Sequence, residues 1–197
     1  MKSALHIISS VRGNQSYSKG LSSAIVKKLT DRNEIKTVVE RDLTKTFPPF
    51  IDEALIGELY KYPEDISEER NQLLKYSDTI FNEMNNADVI IIGTPTHNLG
   101  MSAPLKAWVD QLVRFGTTYR YDETGSRIGL LKNKKIYLAI ASGGKLSQWP
   151  TGYEFIESYT KAVFNSYVGI TDVCTFRVEG TVRDNFAPDY EKIIENL

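Results

Sequence analysis

Hydrophobic positions along the chain alternate between two periods. Short apolar runs at Leu5 to Ile8, Ile35 to Val39, Val89 to Ile92, Ile136 to Ala141 and Ile170 to Val178 read as strands. Val89 to Ile92 is almost wholly β-branched, the pattern of a strand buried on both faces. Between these runs apolar residues recur at three- and four-residue spacing. Leu21, Ala24, Ile25 and Leu29 predict a helix from Ser18, and Leu73, Ile80, Phe81 and Met84 the apolar stripe of a longer one. Ser67 is a good cap for the second, with Glu68 and Glu69 at the positive end of its dipole. Leu105, Trp108, Val109 and Leu112 form the inner face of a third, with Pro104 in its first turn. Gly152 to Tyr167 and Pro188 to Leu197 are the last two predicted helices. Pro48, Pro49 and Pro63 mark residues 44 to 65 as a surface excursion with a short helix near Ala54 to Tyr60, and Asp122 to Ser126 predicts a hairpin turn.

Strands that alternate with helices and share no hairpins imply a parallel sheet with helices on both faces. The expectation is a single α/β domain over residues 1–197, doubly wound, with five strands in the order 2-1-3-4-5. In such a sheet ligands bind outside the carboxyl ends of the strands, where the strand order reverses. The loops after the first, third and fourth strands are therefore the places to look for function.

The first loop runs Ser9 to Ser18 and includes Ser10, Gly13, Ser16 and Tyr17. Hydroxyls and amides at a helix N-terminus make a phosphate site. The loop lacks both the lysine of an ATPase P-loop and the three-glycine dinucleotide pattern, so a monoester phosphate fits better than a triphosphate. Taken alone it is equally a polar loop that caps a helix. The second loop, Gly93 to Pro104, mixes apolar, proline and amide residues through Pro95, Thr96, His97, Asn98 and Leu99. A flat heteroaromatic ring needs apolar contact on its face and backbone donors at its edge. The third loop is Ala141-Ser142-Gly143-Gly144, where paired glycines let backbone approach a ligand.

Composition removes other classes. One cysteine, Cys174, and two histidines, His6 and His97, leave little for a metal centre and nothing for an intrachain disulfide. A net charge of −1 gives no footprint for nucleic acid. No apolar run approaches a bilayer span, and the N-terminal segment is too soon interrupted to be a signal peptide. The cysteine count suits a reducing compartment, so a cytoplasmic protein is expected. His6 and Cys174 fall inside strands and read as satisfied core residues.

With these residues in view, the chain resembles the FMN-dependent NADH:quinone oxidoreductase and azoreductase family of flavodoxin-like quinone reductases, over nearly its whole length. The serine pattern of Ser9, Ser10, Ser16 and Ser18 is similar to the one the family uses for FMN phosphate. Pro95 to Leu99 resembles the family's P-x-Y-N-[FW] segment, Pro104 to Asp110 its following helix, Ala141 to Gly144 its S-R-G-G, and Gly169 to Val173 its G-I-T-D-V run. Three positions depart from the family: His97 replaces a tyrosine, Leu99 an aromatic and Ser142 an arginine.

The resemblance implies a flavodoxin-like fold, bound FMN, and a ping-pong cycle from NADH or NADPH to a quinone or azo acceptor. It implies cofactor contacts at Ser10, Ser16, Tyr17, Ser18, Pro95 to Leu99 and Ala141 to Gly144, and a substrate cleft that includes Tyr121 and Phe164. It implies a homodimer, with the Gly152 to Tyr167 helix as a candidate interface. Flavin carries the hydride chemistry, so no catalytic acid is assigned, and His97 is read as a ring-edge contact. Two alternatives stay open: a flavin-binding redox sensor or ancillary subunit, and a flavodoxin-type electron carrier. The carrier is disfavoured by the near-neutral charge.

Overall fold

The computed structural model describes residues 2–64, 67–149 and 155–197. A five-stranded parallel sheet holds β1 (Lys2–Ile8), β2 (Ile35–Asp42), β3 (Val89–Pro95), β6 (Lys135–Ala141) and β7 (Asp172–Val178), in the order β2-β1-β3-β6-β7. The antiparallel pair β4 (Tyr119–Tyr121) and β5 (Arg127–Gly129) is the predicted hairpin. With the hairpin set aside, the order is the expected 2-1-3-4-5.

Alternation along the strands splits the core into two layers. Leu5, Ile7, Ile90, Ile92, Ile136, Leu138 and Ile140 face one side. There they pack against α3 (Glu68–Asn86), α4 (Ala103–Leu112) and α5 (Ile156–Val163). Ala4, Val89, Ile91, Tyr137 and Ala139 face the other side, against α1 (Tyr17–Asp31) and α6 (Tyr190–Ile193). Trp108 on α4 is fully buried, and a buried tryptophan dominates its neighbourhood by area alone. A short α2 (Glu53–Leu59) lies in the excursion and packs Leu55 and Leu59 on Leu74.

Several boundaries differ from the sequence pattern. The buried stripe of α3 is Leu74, Ser77, Ile80 and Met84; Leu73 joins the small cluster at α2, and Phe81 is only partly buried. Hydrophobicity alone did not select Ser77, which is buried because its hydroxyl donates to the Gln111 carbonyl at 2.6 Å. The predicted helix over Gly152 to Tyr167 starts at Ile156 and ends in a π-helical turn, Phe164–Val168; residues 152–154 lie outside the described residues. Gly169, at φ 97°, terminates that turn. The final helix is one turn rather than ten residues.

Close packing of α1 on the sheet places its N-terminus. A Cβ on Gly93 would fall 2.6 Å from Ser22 Oγ and 3.0 Å from the Ser18 carbonyl, so only glycine lets α1 lie this close to β3. His6 on β1 bonds to Ser22 on the same helix, Nε2 to Oγ 2.8 Å. These contacts fix the N-terminus of α1 at the carboxyl edge of β1 and β3.

Candidate functional site

Strand ends bring the three polar loops together. Ser9 N–H and its hydroxyl both donate to the Gly93 carbonyl, each at 3.1 Å, which joins the first loop to the second. Thr96 N–H donates to the Ala141 carbonyl at 2.8 Å, which joins the second to the third. Ser142 N–H donates to the Val178 carbonyl at 2.9 Å and Thr181 N–H to the Ser142 carbonyl at 3.2 Å, so the segment after β7 closes the row.

Between the loops lies a cleft of two adjoining halves that share lining residues. The smaller, about 160 Å3, is lined by Ser10, Ser16, Tyr17, Ser18, Pro95, Thr96, His97, Ala141 and Gly143. Ser16 caps α1 by accepting from Lys19 N–H at 3.1 Å, and its hydroxyl lies 3.2 Å from that of Ser18. The first N–H groups of a helix have no acceptor within it, and the dipole adds partial positive charge. Serine hydroxyls, first-turn amides and the Arg12 guanidinium that also lines this half suit a dianionic phosphate. The larger half, about 320 Å3, is lined by Thr96, Asn98, Leu99, Ser142, Gly143 and Gly144, with Leu146 and Trp149. Thr96 and Gly143 line both halves.

The residues fit a flavin mononucleotide, with a phosphate end and a ring end. At the ring end, a Cβ on Gly143 would lie 2.8 Å from Val182 Cγ1 and one on Gly144 3.3 Å from Trp149 Cζ2, so the paired glycines let the loop pack closely against both side chains. At the junction, Thr96 Oγ1 is buried with no hydrogen-bond partner among the described residues. His97 and Gly100 exchange two backbone hydrogen bonds of 2.9 Å, with Asn98 at φ 49° and Leu99 at φ 68° between them. Two central residues at positive φ are the signature of a type I′ turn, and a leucine there is strained. Strain held at the tip of a ligand-facing loop is typical of binding sites.

The structure thus gathers thirteen residues singled out in the sequence: Ser10, Ser16, Tyr17, Ser18, Pro95 to Leu99 and Ala141 to Gly144. The two residues expected in a substrate cleft fall elsewhere. Phe164 is 1% exposed and packs in the core; the π-helical turn points its ring inward while its carbonyl accepts from Gly169 and Ile170. Tyr121 is 50% exposed on the hairpin, but it lines neither half of the cleft. The sequence pattern did not single out Thr181, Val182, Leu146 or Trp149, nor Arg12 within the first loop. Applying the same strand-edge rule to the fifth strand would have found Thr181 and Val182.

His6 sits beneath the cleft, 4% exposed, and burial pushes its imidazole down to about 4, against the opposing pull of Glu40. It is a neutral core residue. Cys174 is half-buried at the margin of the second core layer. Among the described residues, no cluster of three or more His, Cys, Asp or Glu side chains has metal-binding geometry, and no helix is long and apolar enough to cross a membrane.

Comparison with known proteins gives the family. A family described as flavodoxin-like fold matches residues 2–197. An FMN-dependent NADH:quinone oxidoreductase of Herminiimonas arsenicoxydans is 36% identical over 91% of this chain and 88% of its own length. One from Rhizobium leguminosarum bv. trifolii is 36% identical over 99% of this chain and 94% of its own. Among solved structures, an azoreductase from Bacillus anthracis str. Sterne superposes with a TM-score of 0.82 at 30% identity, over 100% of this chain and 94% of that one.

Proposed function

Since the chain belongs to the flavodoxin-like fold family, in the branch of the FMN-dependent NADH:quinone oxidoreductases, we propose that it passes two electrons from NADH or NADPH through bound FMN to quinones and azo compounds. The observation that carries the reading is the bipartite cleft, with serine hydroxyls and a helix N-terminus at one end and paired glycines at the other. Ser10, Ser16 and Ser18 would hold the phosphate, with Tyr17 beside them. Pro95 to Leu99 and Ala141 to Gly144 would surround the ring. Bound flavin supplies two-electron hydride chemistry.

The protein's own part is orientation and electrostatics. Hydroxyl and amide donors at the α1 N-terminus fix the phosphate. That anchors the ring against the backbone of Gly143 and Gly144, whose N–H groups can approach a polar edge. His97, which lines the phosphate half, is given a contact role at the ring edge, since flavin carries the hydride chemistry. A ring open on one side admits donor and acceptor in turn, which gives ping-pong kinetics and a broad acceptor range.

The molecule works as a single domain and as a homodimer in this reading. Phe50 is 77%, Tyr60 64% and Tyr62 62% exposed, surface that a monomer in water rarely leaves uncovered. Tyr60 lines a largely apolar groove with Ile56, Leu59, Val109, Val113, Tyr159 and Val163. The excursion and α4 thus contribute as much as the α5 helix. A dimer would also give Tyr121 a route to the partner's cleft. A cytoplasmic location accords with the lone cysteine.

The test is oxidation of NADH and of NADPH by FMN-loaded protein with benzoquinone and with methyl red. Turnover with parallel double-reciprocal lines is expected. Failure with both nucleotides and both acceptors would overturn the enzyme reading in favour of a flavin-binding sensor.

A further inference from the structure

Trp149 stands out against the other tryptophan of the chain. Trp108 is fully buried, whereas Trp149 is 46% exposed. Yet the segment that carries it is pinned at several points. Leu146–Gln148 forms a single 3-10 turn, closed by Trp149 N–H donating to the Leu146 carbonyl at 3.0 Å. Ser147 donates to the Glu179 carboxylate twice, from its N–H at 3.0 Å and its hydroxyl at 2.6 Å. The Gly144 carbonyl accepts from the Ser142 hydroxyl at 2.7 Å and from Gly180 N–H at 3.3 Å. The indole packs on Gly144, where a Cβ would lie 3.3 Å from Cζ2. Its open surface lines the ring half of the cleft with Asn98 and Leu99.

We infer that Trp149 is a stacking residue for a planar, electron-poor ring in the cleft, an inference that rests on the flavin reading of that cleft. An indole is a large electron-rich surface, and an electron-poor ring gains most by stacking on it. A turn held by Glu179 presents the indole already placed, so little conformational freedom is lost when the ring arrives. The ring has two sources, the isoalloxazine of FMN or the electron acceptor that follows it, and the two arms of the experiment separate them.

Apoprotein of the native chain, Trp149→Leu and Trp149→Phe is titrated with FMN, and the FMN-loaded proteins are then assayed with benzoquinone. Circular dichroism checks that all three are equally folded. If the ring is flavin, Trp149→Leu weakens FMN binding roughly 2- to 10-fold and brightens the emission of bound flavin, because contact with indole quenches it. If the ring is the acceptor, FMN binding and emission stay native while the KM for benzoquinone rises by a similar factor and kcat changes less. Trp149→Phe recovers part of either effect. Glu179→Gln, which loosens the turn without touching the ring, acts in the same direction and more weakly. Equal FMN affinity, flavin emission and quinone KM in the three proteins would overturn the inference. Native protein that takes up no FMN would overturn the flavin reading itself.

Discussion

The cleft at the carboxyl edge of the sheet is built on loops tied to one another through their main chain, whereas the face beside the hairpin is built from contacts between rings. On that face Tyr62, Phe115, Tyr119, Tyr121 and Tyr167 form a chain of edge-on and tilted contacts with centroids 4.8–6.1 Å apart. The Arg127 guanidinium lies 3.8 Å from the Tyr167 centroid, within reach of Tyr119 and Tyr121 as well. The difference teaches where each region keeps its information. The cleft is set by main-chain bonds between strand ends, so its shape depends little on the side chains of His97, Leu99 and Ser142. The aromatic face is set by side chains from the excursion, the segment after α4, the hairpin and the π-helical turn, so every substitution there changes the surface itself.

The sharpest way to break the aromatic face is at the close backbone approach beneath it. A Cβ on Gly129 would fall 2.1 Å from Gly169 N, and Gly169 at φ 97° has no easy way to yield. Gly129→Ala should cost about 3 kcal/mol or more of stability, read as a lowered urea midpoint. A loss under about 1 kcal/mol would mean the hairpin is free to move off the π-helical turn.

Acid distinguishes the two regions next. Buried His6 lies under the cleft with its folded value near 4, against 6.5 for the free side chain. Between those values the unfolded chain binds the proton and the folded chain does not, so stability falls as pH drops through that window. The loss should be on the order of 3 kcal/mol and level off below pH about 4. His6→Gln should flatten this part of the pH–stability curve. An unchanged slope would assign acid sensitivity to the carboxylates instead.

A smaller effect is expected on association. Ile56→Ser combined with Tyr60→Ser removes exposed anchors of the apolar groove that Tyr167 joins to the aromatic face, 40% and 64% accessible. Sedimentation equilibrium should find dimer dissociation raised about 10-fold or more, with FMN affinity native. A native dissociation constant would move the interface elsewhere on the molecule.

How much of the fold and the cleft was legible in the sequence follows the same division. Strands β1, β3 and β6 were readable because each is a continuous apolar run, and the loops after them because turn and phosphate chemistry is local. Ser77 in the α3 stripe was not readable, since its burial depends on a carbonyl on another helix. Phe164 was assigned by resemblance alone, and its burial follows from packing against the sheet core, which no local motif announces. Trp149 was missed because its place in the cleft depends on Glu179, thirty residues further along the chain, which holds the turn that carries it.

If FMN is held by its phosphate at the N-terminus of α1, calorimetric titration of apoprotein with FMN reads that anchor directly. The native chain should bind one FMN, and Ser16→Ala with Ser18→Ala should weaken binding about 100-fold or more, since each hydrogen bond to a charged phosphate contributes about 1.5–3 kcal/mol. Ser16 also caps the helix, so Ser18→Ala alone, which leaves that cap intact, should still weaken binding at least about 10-fold. Native affinity in both variants would contradict the account.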